Sequence, residues 1–205
     1  MKRTILLGCF ILFSSTMVFA QDKQDKIEAP IWNVGDKWVF TRGDTMEVID
    51  ADQNSYVVKH SGMMFEKTNS VVILDKKTLN KIYTLEGGKR KKYDWGRRRV
   101  LNFPLSIAKR WEDTCVSLPY YNPDAPQIER DYHELFIVLG WEDVAVQAGK
   151  FKAIKVEYVQ RTGARVGNAM LWYSPEAKYF VKCQIDKDFW KIGWDYELVS
   201  LKFKK

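Results

Sequence analysis

Short apolar runs separated by turn residues at regular intervals limit the fold of this chain more than any other feature of its sequence. The runs at residues 37–41, 55–59 and 71–74 are rich in β-branched and aromatic side chains, which favour strands. Turn signals such as Gly43-Asp44 and Ser61-Gly62 recur about every 8 to 12 residues, the spacing of a β-meander, sandwich or barrel. We therefore predict an all-β fold: a single antiparallel β domain, built as a strongly curved sheet or an open barrel or sandwich, with little or no helix.

The second half of the chain shows the strand pattern most clearly. Residues 134–146 are predicted to form one or two strands that end at a turn over residues 147–150. After that turn, Ile154, Val156 and Tyr158 alternate with polar residues, which is the pattern of a strand buried on one face. Further strands are predicted at 169–173, 179–185 and 194–202.

The first twenty residues have the three-part layout of a secretory signal peptide. Lys2 and Arg3 precede an apolar run over residues 5–13, and the segment closes on Val18-Phe19-Ala20. We therefore predict a signal peptide over residues 1–20 with cleavage after Ala20, a flexible N-terminal segment over 21–31 and a single β-rich domain over 32–205.

Two other readings of this N-terminal segment are less favoured. A retained membrane anchor needs about 20 apolar residues, more than the run provides. Leu6-Leu7-Gly8-Cys9 resembles a lipoprotein cleavage box, but the apolar run continues past Cys9. The mature chain is expected to be soluble, without a transmembrane segment, and to be periplasmic or secreted.

One segment accounts for the net positive charge of the mature chain. Residues 89–99 read KRKKYDWGRRR, with seven basic residues and Asp94, for a net charge of +6. The chain carries +7, which falls to +5 once Lys2 and Arg3 are removed, so the rest of the mature chain is near −1. The segment is predicted to be either a solvated edge strand or hairpin, or an anion-binding patch. The patch would comprise Lys89, Arg90, Lys91, Lys92, Arg97, Arg98 and Arg99. Nucleic acid is not an expected partner, because the chain is exported.

Two cysteines, Cys115 and Cys183, remain after the predicted cleavage. An oxidising compartment favours a disulfide between two such cysteines. The alternative is a pair of buried free thiols, since free cysteine often packs as a small apolar side chain.

The sequence lacks the spacings that mark catalytic or metal sites. His60 and His133 are its only histidines, and no HExxH, Cys-x-x-Cys or calcium-loop pattern occurs. We therefore predict no catalytic residue, no metal site and no cofactor, and we expect that the chain is not an enzyme. A hydrolase acting on envelope carbohydrate or lipid remains an alternative, and it would need a convergent pair such as Asp186 with His133 in a cleft. Pairing Cys115 with His133 as nucleophile and base is disfavoured, because nothing in the sequence brings them within hydrogen-bond reach.

The aromatic residues, among them eight tryptophans, leave two interpretations open. They could line a concave apolar pocket for a hydrophobic ligand. They could instead fill the core of a large β domain, which is the usual role of aromatic rings in strands.

Several segments together resemble a known group of proteins. They are Gly35 with Trp38, Phe103-Pro104-Leu105 with Trp111, Ala148-Gly149-Lys150-Phe151, and Trp172-Tyr173-Ser174-Pro175-Glu176 with Val181-Lys182. In this order they resemble exported bacterial proteins of unknown function related to the DUF3108-like families. Ala108 departs from that pattern, which usually has glycine there. The resemblance implies an antiparallel β fold in the envelope and implies no catalytic residue.

The expected function is a binding or scaffolding module in the bacterial envelope, for a hydrophobic or an anionic component. The expected partners are anionic lipid headgroups, an envelope glycan or an envelope protein. A hydrolase and a subunit of a surface or secretion assembly are the alternatives.

Overall fold

A computed structural model of the chain describes residues 26–62, 70–90, 99–117, 130–186 and 195–204. These ranges contain twelve β-strands and one short 3-10 turn, Thr41–Gly43. The strands are β1 (Lys37–Phe40), β2 (Thr45–Ala51), β3 (Ser55–Ser61), β4 (Ser70–Asp75), β5 (Lys81–Glu86), β6 (Lys89–Arg90), β7 (Arg110–Ser117), β8 (Arg130–Val146), β9 (Gly149–Thr162), β10 (Arg165–Ser174), β11 (Tyr179–Ile185) and β12 (Tyr196–Lys202). The predicted all-β fold with little helix is confirmed.

All twelve strands belong to one antiparallel sheet that does not close on itself. The strand order is β6-β5-β4-β3-β2-β1-β12-β11-β10-β9-β8-β7. Strands that are consecutive in the chain pair with each other, except β6 and β7, and β1 also pairs with β12. As a result β6 and β7, which are consecutive in the sequence, are the two terminal strands of the sheet.

The alternation predicted for β9 is found in the structure. Ile154, Val156 and Tyr158 are buried, whereas Lys155 and Glu157 are half-buried on the other face. Its partner β8 is one long strand with a register shift between Val138 and Gly140, which settles the question of one or two strands. A bulge of this kind bends a strand and lets a long hairpin follow the curvature of the sheet.

Aromatic side chains fill much of the core. Trp38 is fully buried, and its indole N–H donates to the carbonyl of Ala177 at 2.7 Å. The Trp32 ring centroid lies 4.9 Å from that of Trp38 and 5.3 Å from that of Tyr56. These rings pack on one another, as the core interpretation of the aromatic residues predicted.

Residues before β1 take part in this packing. Ile27 is buried and forms an isolated antiparallel bridge with Leu105, with both backbone hydrogen bonds at 2.8 Å. Ile27 lies in the segment predicted to be flexible, and here it is fixed to the domain. The predicted signal peptide, residues 1–20 with cleavage after Ala20, lies outside the described residues.

Ala108, at the position where the resembling proteins usually have glycine, has a φ of 63°. This is the left-handed region, in which glycine avoids the steric cost that a Cβ brings. The chain forms this turn before β7 with alanine in the left-handed region. In the part of the chain that the structure describes, no helix is long and apolar enough to cross a membrane.

Candidate functional site

The basic segment begins at one terminal strand of the sheet. Gly87 and Gly88, with φ of 56° and 78°, form a two-residue turn that folds Lys89 and Arg90 back onto β5 as strand β6. Both basic residues are exposed, and the Arg90 guanidinium lies 5.0 Å from the centroid of the Tyr83 ring. The edge-strand hairpin predicted for this segment is thus present at its first two residues.

Its last residue lies against the other terminal strand. The backbone N–H of Arg99 donates to Asp113 Oδ2 at 2.7 Å, and the carbonyl of Arg99 accepts from the indole N–H of Trp111 at 2.8 Å. The guanidinium donates to the backbone carbonyl of Glu112 at 2.8 Å. Arg99 is therefore held on β7 through its amide, its carbonyl and its side chain.

A second contact links the chain just after Arg99 to the first half of the sheet. The side chain of Asn80, just before β5, donates to the carbonyl of Leu101 at 2.9 Å and accepts from its N–H at 3.3 Å. Arg90 and Arg99 are nine residues apart, so they lie within about 30 Å of each other. The basic segment thus connects the two open edges of the sheet. Its other members, Lys91, Lys92, Arg97 and Arg98, lie outside the described residues.

The charges at the two ends of the segment are neutralised to different extents. Asp113 lies 3.8 Å from the Arg99 guanidinium, and its carboxylate is mostly shielded from solvent. Lys89 and Arg90 form no ion pair within the described ranges. The β6 end therefore presents two cationic groups to solvent, one of them oriented by an aromatic ring.

The structure separates the pair that a hydrolase would require. His133 is exposed on β8, and Asp186 directly follows β11, where its N–H donates to Asn168. With β9 and β10 in between, three strand spacings amount to about 14 Å along the sheet, well beyond hydrogen-bond reach.

For the other pair considered, Cys115 is in register with Tyr132 and His133 with Thr114, but the side chain of Cys115 lies outside the described residues.

A shallow depression of about 310 Å³ lies between β11 and β12. Among the described residues, the two strands pair at Lys182 with Glu197 and at Cys183 with Tyr196. Lys182 and Glu197 neutralise each other at 3.1 Å. Among the described residues, no group of three or more histidine, cysteine or acidic side chains could hold a metal ion.

The structure does not support the predicted disulfide. Cys183 is a buried free thiol on β11. Burial, with a contribution from the charge of Asp195, raises the pKa of Cys183 to about 12. The alternative of a buried free thiol therefore describes Cys183.

One buried polar cluster was not foreseen in the sequence. The hydroxyl of Tyr158 donates to Glu134 Oε1 at 2.6 Å, and the Gln160 amide donates to the same oxygen at 3.1 Å. All three side chains are buried on adjacent positions of β8 and β9. The alternation of β9 does place Tyr158 and Gln160 on one face, but only the register with β8 brings Glu134 to them.

Comparison with known proteins gives a likeness of fold. No protein-family model and no curated protein sequence matches the chain, so the resemblance to the DUF3108-like families stays a prediction. The hypothetical lipoprotein YmcC from Escherichia coli K12 aligns over 86% of this chain and 89% of its own, with 8% identity and a TM-score of 0.45.

Two other solved structures give similar values. A protein from Bacteroides fragilis, described as exported and as having a YmcC-like fold, aligns over 86% of this chain and 99% of its own, with 15% identity and a TM-score of 0.41. A protein from Parabacteroides distasonis, described as a lipoprotein, aligns over 87% and 100%, with 16% identity and a TM-score of 0.39. At these scores the likeness does not extend to function.

Proposed function

We propose that this chain is an exported, non-enzymatic binding module of the bacterial envelope that holds an anionic component at its basic segment. The observation that carries the proposal is the state of β6. Lys89 and Arg90 are exposed, stand at the end of the sheet and form no ion pair among the described residues. Export is proposed from the N-terminal sequence.

An anionic component fits the described surface better than a hydrophobic one. The rings of Trp32, Trp38 and Tyr56 are buried against one another, so they offer no apolar wall to a ligand. The β6 cations, by contrast, lie on the surface, where phosphate or carboxylate groups reach them without a change in the fold. Each basic residue near an anionic membrane surface contributes about 1 kcal/mol of binding.

The test is binding of the exported protein to vesicles that contain phosphatidylglycerol, compared with vesicles of phosphatidylcholine alone. Replacing Lys89 and Arg90 with glutamine removes two contributions of about 1 kcal/mol, so affinity should fall about 30-fold. The matched control carries Lys150→Gln and Arg165→Gln, which remove the same two charges from exposed positions at β-turns far from β6 in the sheet.

A soluble acidic polysaccharide added as competitor distinguishes the source of the anionic group. If the polysaccharide displaces the protein from the vesicles, a glycan can occupy the site. If it does not displace the protein, the site is specific for a lipid headgroup. Equal losses of affinity in the β6 variant and its control would show that total charge, and not this segment, governs binding. In that case the proposal fails.

A further inference from the structure

The terminal strand β7 has one edge that faces away from the sheet. Val138 on β8 donates to the carbonyl of Lys109 and accepts from the N–H of Ala108, so even-numbered positions of β8 point towards β7. Antiparallel pairs alternate between bonded and non-bonded positions. Since Trp111 pairs with Phe136 and Asp113 with Glu134, these two residues bond to β8. The backbone groups of Glu112 and Thr114 consequently point outward.

Side chains occupy the outward groups that a further strand would need. The carbonyl of Glu112 accepts from the Arg99 guanidinium at 2.8 Å. The N–H of Thr114 donates to Asp113 Oδ1 at 3.0 Å. Asp113 also accepts from the backbone N–H of Arg99 through its other oxygen, so the two residues are connected on the edge. Side-chain capping is one way in which an edge strand is kept from pairing with another chain.

We propose that Arg99 and Asp113 form a seal on the β7 edge, and that the strand they exclude is β7 of a second copy of this chain. The proposal does not depend on the anion binding proposed above. Its basis is that the two sealed groups are one acceptor and one donor, two residues apart on the same edge.

Those two groups are complementary to themselves. In an antiparallel pair of β7 strands related by a twofold axis at Asp113, Glu112 of one copy stands opposite Thr114 of the other. Thr114 N–H then donates to the Glu112 carbonyl across the axis, twice, in the isologous arrangement typical of twofold dimers. No other element of the chain is needed to form this pairing.

The seal has a second component that acts by repulsion. With the axis at Asp113, the carboxylates of the two copies stand directly opposite each other, and like charges at opposed positions destabilise a strand pair. In the sealed monomer that carboxylate is offset by the Arg99 guanidinium at 3.8 Å. Arg99 therefore blocks the edge sterically, while Asp113 both caps Thr114 and disfavours the dimer.

The test is sedimentation equilibrium of the full-length gene product, purified after export, over a range of concentrations. The wild type should have the mass of one copy, and Arg99→Gln combined with Asp113→Ala should approach twice that mass as concentration rises. Arg165→Gln with Asp143→Ala is the matched control, because it removes the same pair of charges from exposed positions on β10 and β8. It should behave as the wild type.

Adding Thr114→Pro to the unsealed variant tests the mode of association. The Thr114 N–H points outward, so proline removes the donor to the second copy without removing a bond to β8. The triple variant should return to the mass of one copy. A wild type that already pairs through β7, an unsealed variant that stays monomeric, or a triple variant that still dimerises would each refute the proposal. If the unsealed variant does not fold, hydrogen exchange at Thr114 in Asp113→Ala decides: faster exchange supports the seal, and unchanged exchange refutes it.

Discussion

The buried histidine His60 should make the stability of this protein depend steeply on mildly acidic pH. Its side chain is 6% exposed on β3, between Met46 on β2 and Ser70 on β4. Burial, and secondarily the positive charge of Lys81, lowers the pKa of His60 from 6.5 to about 4. The folded protein therefore keeps this imidazole neutral at pH values where the unfolded chain protonates it.

The sign and size of the effect follow from proton linkage. Above pH 6.5 the imidazole is neutral in both states and adds nothing to the pH dependence. As pH falls from 6.5 to about 4, the unfolded state binds one proton more, so the free energy of unfolding decreases by about 1.4 kcal/mol per pH unit. The total loss for a shift of this size is about 3 kcal/mol, a large part of the roughly 5 to 15 kcal/mol that stabilises a typical domain.

Urea unfolding of the wild type and of His60→Met between pH 7.5 and 4 measures this effect. The difference in unfolding free energy between the two proteins should shift by about 3 kcal/mol in favour of the variant as pH falls. Comparing differences cancels the contribution of carboxylates that titrate in the same range. His133→Met, a change at an exposed position of β8, is the control and should follow the wild type. Parallel pH profiles for His60→Met and the wild type would refute the reasoning.

Two substitutions and one chemical modification test the packing. Tyr158→Phe removes the donor 2.6 Å from Glu134 and should lower the urea-unfolding free energy by about 1–3 kcal/mol, because a buried acceptor loses a partner; a loss near zero would contradict this. Trp38→Phe removes buried volume and the bond to Ala177, and thermal denaturation should show a loss of about 2–3 kcal/mol. Because burial raises the pKa of Cys183 to about 12, Ellman's reagent should modify Cys183 in the exported Cys115→Ser variant at pH 8 only in denaturant; rapid reaction of this folded variant would contradict the burial of Cys183.

Local pattern predicted most strands but not their order in the sheet. The alternation in β9 is visible in the sequence because one face is buried and the other is not. The edge strand β7, RWEDTCVS, is not among the predicted strands, because polar residues dominate it and Trp111 is its only large apolar residue. The pairing of β1 with β12 joins strands from opposite ends of the domain sequence. Side-chain alternation predicts which face of a strand is buried, but it does not predict which strand pairs with it.

The lack of information on strand order also explains why the contacts of Arg99 at the candidate site were not predicted. The basic charge of Lys89 and Arg90 was sufficient to predict an edge strand or hairpin as one of two readings of the segment. The contacts of Arg99 with β7 could not be foreseen, because they depend on the position of β7 in the sheet, which the local pattern does not give. Counting charges treated the seven basic residues of the segment as equivalent, whereas their environments differ.

That difference between Arg90 and Arg99 makes the two proposals separable. Arg90 lies beside the Tyr83 ring and has no carboxylate partner among the described residues, so its charge is available to an anion in solution or on a surface. Arg99 already donates to a backbone carbonyl and lies beside Asp113, so an external anion must compete with contacts that hold the edge of β7. Loss of Arg90 should therefore act on anion affinity without changing the mass in solution. Loss of Arg99 together with Asp113 should act first on self-association, since the net charge of the pair is zero.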